Sequence, residues 1–160
     1  YNTSFIGLSG RMAEFNSILA LKSLEILEKN VNNRQKIVLQ YKERLKRLPG
    51  ISFQEIEENS RSSYKDFAIK IEAADFGLTR DKLFDSLNAE NIMTKKYFEP
   101  PIHQQFAFKP YLKGQDLDLE VTNELAKKVL CLPIYSHMEL SLVNKICKAI
   151  ERIYNSSSKI

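Results

Sequence analysis

The sequence predicts an α+β chain in which a long helical segment leads into a small sheet carrying helices on one face. Three observations predict it. Apolar residues recur at helical spacing from Arg11 to Leu48. Two short runs after Pro49-Gly50 alternate apolar and polar residues with the period of strands. From Leu78 onward helical and extended patterns interchange, as in a short sheet layered with helices. At 160 residues, 43% hydrophobic and 28% charged, the chain has enough apolar material for one sizeable core.

In the first segment Met12, Phe15, Ile18, Leu19, Leu21, Leu24, Ile26 and Leu27 form a helical set that widens to nearly all round at Ile18–Leu21. A helix that apolar needs cover on more than one side. From Val31 to Leu48 the apolar set narrows to Val31, Ile37, Val38, Tyr41, Leu45 and Leu48, with Lys and Arg elsewhere, and stops at Pro49-Gly50. Three Asn within residues 30–33 weaken a helix interior, so this is one long helix or a pair broken there. The Pro-Gly turn divides the chain into residues 1–48, helical, and 49–160, a small α+β domain.

Ile51–Ile56 and Tyr64–Ile71 read as strands, the latter with Phe67, Ile69 and Ile71 on one face. Thr79 can cap a helix whose first turn holds Asp81 and whose buried stripe is Leu83, Phe84 and Leu87. Ile92–Phe98 returns to an extended pattern. Pro100, Pro101, Pro110 and Gly114 then make residues 99–117 a long ordered loop, with Phe106, Phe108 and Tyr111 as apolar anchors. Val121–Leu132 is helical and must end before Pro133. Glu139–Tyr154 closes the fold as an amphipathic helix with Leu140, Val143, Ile146, Cys147, Ile150 and Tyr154 on one face.

Charge and cysteine usage exclude several classes. The 24 Lys and Arg are interleaved with 20 Asp and Glu for a net charge of +4. A nucleic-acid partner, suggested by a pI of about 9.0, is therefore not demanded. No apolar run approaches the roughly 20 residues that span a bilayer, so no membrane partner is expected and the expected address is the cytoplasm. Cys131 and Cys147 read as small buried core residues, and His103 and His137 are too few for a zinc site. The chain opens mid-phrase at Tyr1 without an initiator Met, which suggests a fragment.

Three phrases in order carry a family resemblance. They are Gly7-Leu8-Ser9-Gly10-Arg11-Met12-Ala13-Glu14, Tyr97-Phe98-Glu99-Pro100-Pro101-Ile102-His103, and residues 119–135, which end in Leu132-Pro133-Ile134-Tyr135. They resemble the Gly-x-Asn-x-Arg-Met-x-Glu, Tyr-x-Pro-Pro-x-His and Leu-Pro-x-Thr-Glu…Leu-Pro-x-Tyr phrases of pyridoxal-phosphate-dependent sugar aminotransferases of the DegT/StrS type. Arg34 and Tyr41 stand where that family has an Arg and a Tyr after its interface helix. The resemblance implies the small domain of a fold-type I aminotransferase, with residues 1–48 as interface helices and 49–160 as the C-terminal domain. It also implies a homodimer, a nucleotide-linked keto sugar as substrate and glutamate as amino donor. The Schiff-base Lys that holds the cofactor would lie upstream of Tyr1, so the chain alone would be inactive and without covalent cofactor.

Departures accompany the likeness. Ser9 replaces the Asn that reaches the cofactor phosphate, residues 119–123 read Leu-Glu-Val-Thr-Asn, and Ser136 replaces a Pro. Two rivals stay open: a sugar dehydratase of the same fold, in which His replaces the family's Lys, and a non-catalytic dimerising remnant. Ser9 and Arg11, beside free amides at a helix start, are the candidate cofactor-phosphate contacts, although Arg11 can instead pair with Glu14 one turn on. His103, on a proline-stiffened loop, and Tyr97 are the candidate substrate contacts, against a surface His and a packing Tyr. The chain itself offers no catalytic residue.

Overall fold

The computed structural model describes residues 7, 10–112, 117 and 119–157. Two helices, α1 (Glu14–Glu25) and α2 (Leu27–Leu45), precede a three-stranded sheet of β1 (Ile51–Phe53), β2 (Phe67–Ile71) and β3 (Val129–Leu132). The strands pair antiparallel in the order β1-β2-β3. Between β2 and β3 come α3 (Ala73–Phe76), α4 (Arg80–Ala89), two 3-10 turns at Ile102–Gln104 and Phe106–Leu112, and α5 (Glu120–Lys128), while α6 (Leu140–Asn155) follows β3.

The register puts Phe53, Ile69 and Leu130 in line, with Ile51 beside Ile71 and Phe67 beside Leu132, so one sheet face is wholly apolar. That face joins Ile37, Val38, Tyr41 and Leu45 of α2, Leu83 and Leu87 of α4, and Val143, Ile146 and Ile150 of α6 in one buried core. The Tyr41 and Phe67 rings stack at 5.4 Å. At the edge of the core, Arg44 pairs with Glu151 at 2.8 Å and Gln40 donates to Asn144 at 2.6 Å, fixing α2 against α6. Tyr41 Oη donates to the Pro133 carbonyl at 3.0 Å, and Arg34 donates to Ser63 O at 2.7 Å and Ser136 Oγ at 2.6 Å. Both residues thereby tie α2 to the chain entering and leaving the sheet.

The predicted helix pair is present, but the break falls at Ile26 rather than at the Asn cluster. Asn32 accepts from Arg61, which also pairs with Glu28, so its amide is engaged by a neighbouring loop instead of competing for the helix backbone. No residue of α1 is buried, and Phe15 is 82% exposed. Strand β1 stops at Phe53, short of Ile56. β2 starts at Phe67 rather than Tyr64, because Tyr64 stands at φ 44, outside the extended region.

Residues 92–98 contribute one bridge, Lys95 with Cys131, in place of the expected strand. The helix expected over Val121–Leu132 ends at Lys128. Val129-Leu-Cys-Leu132, apolar at every position, joins the sheet instead, and periodicity cannot separate so short an apolar run from a buried helix end. The proline-rich segment is partly regular, forming the two 3-10 turns, and Phe106, Phe108 and Tyr111, expected as anchors, are all exposed. Thr79 caps α4 as expected, accepting from Lys82 N at 3.3 Å.

Candidate functional site

Tyr97 and His103, six residues apart on the proline-rich segment, converge on one cavity of about 610 Å³. Its walls come from both sides. The 97–112 segment supplies Tyr97, Phe98, Ile102, His103, Phe108 and Tyr111, and α5 supplies Thr122, Leu125 and Ala126, with Val129 where the helix gives way to β3. The apolar face of α5 is therefore the far wall of this cavity. A largely apolar recess with a few convergent polar groups is the usual form of a small-molecule site.

The polar groups are held in place. Asn123 Oδ1 accepts from Gln104 Nε2 at 2.6 Å and lies 2.8 Å from His103 Nε2. Because that oxygen is an acceptor, His103 Nε2 is the donor, which leaves Nδ1 of the neutral ring as an acceptor for a ligand hydroxyl or amine. Lys95 Nζ donates to Tyr97 Oη at 2.8 Å and sits 5.1 Å from the centre of the same ring. This hydrogen bond, first among the causes, raises the Lys95 pKa above its ordinary value. The Tyr97 ring stacks on Phe98 at 4.9 Å. Asn123, evident in the sequence only as a departure from a family phrase, is the partner that orients His103.

A second cavity of about 480 Å³ is lined by Lys65, Asp66, Lys95, Cys131 and Tyr135, among others. Burial pushes the Cys131 thiol up to about 11, so it offers no nucleophile. Cys147 lies in the core, its thiol pushed up to about 12 by the same cause. Both cysteines are the buried core residues the sequence suggested. Among the described residues no three His, Cys, Asp or Glu side chains gather as a metal site, and no helix is long and apolar enough to cross a membrane.

At the other end of the chain, Arg11 is exposed and makes no hydrogen bond or ion pair among the described residues. The alternative pairing with Glu14 is not formed. A Cβ added to Gly10 would meet nothing within 4 Å. Ser9 lies outside the described residues.

Fold and cavities define a small α+β domain with an aromatic-walled recess beside α5 and a bare helix, α1. The chain belongs to the DegT/DnrJ/EryC1/StrS aminotransferase family, whose model matches residues 1–151. It is 33% identical over 144 residues to dTDP-4-amino-4,6-dideoxy-D-glucose transaminase of Escherichia coli, covering 90% of this chain and 38% of that protein. A DegT DnrJ EryC1 StrS aminotransferase from Brucella abortus superposes with a TM-score of 0.80 at 27% identity, over 96% of this chain and 39% of that one. The GDP-4-keto-6-deoxy-D-mannose-3-dehydratase of E. coli shares the fold, with a TM-score of 0.72 at 18% identity over 92% of this chain and 39% of that one. The chain spans about two fifths of the length of the curated relatives it matches.

Proposed function

We propose that this chain is the C-terminal part of a pyridoxal-phosphate-dependent aminotransferase that moves an amino group, with glutamate as donor, onto a nucleotide-linked keto sugar in the cytoplasm. The observation that carries the reading is the convergence of Tyr97 and His103 on one cavity, with His103 oriented by Asn123. Tyr97 and Phe98 offer aromatic surface for a sugar or base, and His103 Nδ1 offers a hydrogen-bond acceptor. Together they bind and orient the substrate, while the apolar walls exclude water.

The residues present fit one end of the cofactor only. Arg11, exposed and unpaired among the described residues beside open space at Gly10, suits a phosphate, and Ser9 adjoins it in sequence. Among the described residues no Lys lines the cavity: Lys95 is engaged by Tyr97, and Lys96 pairs with Asp81. Pyridoxal phosphate, when bound, supplies the electron sink for the amino transfer. The bare α1 supports a homodimer, since an exposed apolar patch of this extent marks an interface.

The test is made on two samples. The isolated chain, mixed with pyridoxal phosphate and gel-filtered, is expected to retain no visible absorbance, and a retained band would overturn the division of labour. In the intact enzyme, glutamate-dependent formation of an amino sugar supports the reading. Loss of a sugar hydroxyl without consumption of glutamate would replace it by the dehydratase, and neither activity would leave the non-catalytic remnant.

A further inference from the structure

The most deeply buried charge among the described residues belongs to Arg80, the first residue of α4, which is 2% exposed and lines neither cavity. A guanidinium removed from water persists only where its donors and charge are matched. Arg80 Nη1 donates to the Val129 carbonyl at 3.0 Å, and Nη2 donates to the Glu99 carboxylate. Nε lies 2.9 Å from Asp81 Oδ1, an ion pair that lacks hydrogen-bond geometry, so the match at Nε is one of charge alone. Asp81 in turn pairs with Lys96, and this hydrogen bond, followed by the Arg80 charge, holds its carboxyl below the ordinary range against the opposing effect of burial.

These partners share one property. Val129 is cavity wall, Lys96 immediately precedes Tyr97, and Glu99 immediately precedes Pro100-Pro101-Ile102-His103. A single side chain beneath the cavity thus grips the α5–β3 junction on one side and the segment bearing Tyr97 and His103 on the other. The prolines transmit that grip, because each fixes its own φ and restricts the residue before it. The guanidinium fork suits the role, since it engages a carbonyl and two carboxylates in divergent directions where an ammonium is a point charge on a flexible stem.

We propose that Arg80 is a positioning residue for the substrate cavity: through Glu99 it sets where Tyr97 and His103 stand relative to the α5 wall. The assignment rests on the reading of this cavity as the substrate site. It goes beyond it by naming a buried residue that touches no ligand yet determines ligand affinity.

The test uses Glu99→Gln, which keeps the shape of a half-exposed partner and removes its charge, alongside Arg80→Lys. The chain holds two histidines, so the imidazole signals of His103 and His137 are separately resolvable by NMR, with His137 as internal reference. Glu99→Gln is expected to move the His103 signals and leave those of His137 in place. In the intact enzyme it is expected to raise KM for the sugar nucleotide by roughly five- to ten-fold with kcat within about two-fold. Unmoved His103 signals in Glu99→Gln would overturn the proposal, whatever happens to the melting temperature. Where Arg80→Lys fails to fold, Glu99→Gln decides alone. Displaced His103 signals with an unchanged KM would uphold the positioning role and refute the cavity as the substrate site.

Discussion

Replacing Gly50 by alanine tests how tightly the turn after α2 is held against the sheet. Gly50 stands at φ +76, and its carbonyl accepts from Glu72 N at 2.8 Å, so the turn is pinned to the start of α3. An added Cβ would lie 2.5 Å from Phe76 N, 2.6 Å from Glu72 O and 2.8 Å from Phe76 Cβ. None of these atoms is the end of a flexible side chain, and Phe76 is itself buried against Tyr154 at 5.3 Å between ring centres. The left-handed backbone costs a non-glycine residue about 1–2 kcal/mol, and forced overpacking adds about 1–3 kcal/mol. The sum, about 2–5 kcal/mol, corresponds to a melting temperature lower by roughly 4–20 °C for a chain of this size. Differential scanning calorimetry of Gly50→Ala and Gly10→Ala side by side measures it. Gly10, with open space around it, is expected to tolerate alanine within about 0.5 kcal/mol. A Gly50→Ala variant melting within 2 °C of the parent, roughly 1 kcal/mol on the same scale, would refute the steric reasoning.

Other perturbations address site, interface and core. His103→Ala in the intact enzyme is expected to lower kcat/KM by roughly tenfold, about one hydrogen bond of ~1.5 kcal/mol, with cofactor content unchanged; unchanged kinetics in a folded variant would remove His103 from the site. Asn123→Ala, which frees both His103 and Gln104, is expected to reproduce most of that loss while costing the fold only about 1 kcal/mol. Leu21→Glu is expected to weaken self-association in sedimentation without lowering the melting temperature of the dissociated chain, because Leu21 is exposed within it. The buried thiols set an alkaline limit. The folded chain keeps the Cys131 and Cys147 protons up to about pH 11 and 12, whereas unfolded thiols release theirs near pH 8.5, so stability must fall as pH rises above about 8.5. Cys147→Ala should flatten that decline in melting temperature measured from pH 8 to 10.

Helices and sheet were largely legible because α2, α4 and α6 carry one apolar stripe each and β2 alternates strictly, Phe67, Ile69 and Ile71 being buried and the residues between half-buried. Legibility failed where local pattern and tertiary pairing disagree. Val129–Leu132 continues the helical spacing of α5, yet it pairs with Phe67–Lys70 of the central strand, and Cys131 exchanges both its backbone hydrogen bonds with Lys95 on the other side. At the site, Tyr97 and His103 were legible through a family phrase, but their convergence with α5 was not, because an apolar helix face reads the same whether it meets a core or walls a cavity. Arg80 was invisible for a related reason. An arginine in the first turn of a helix reads as solvated, and only the carbonyl of Val129 and the carboxylate of Glu99 brought to it by the fold show otherwise.

The bare helix α1 has a consequence for how the molecule reaches its native form. Twelve residues are at or below the length at which even alanine-rich helices hold together in water, and α1 gains no buried residue from the rest of the chain. In the proposed homodimer its order is borrowed from the surface that covers Phe15, Ile18 and Leu21, so winding of the helix and docking become one event. On the proposed homodimer, helicity in residues 14–25 is expected to depend on protein concentration, while the core of α2, α6 and the sheet is expected to melt at a temperature indifferent to dilution.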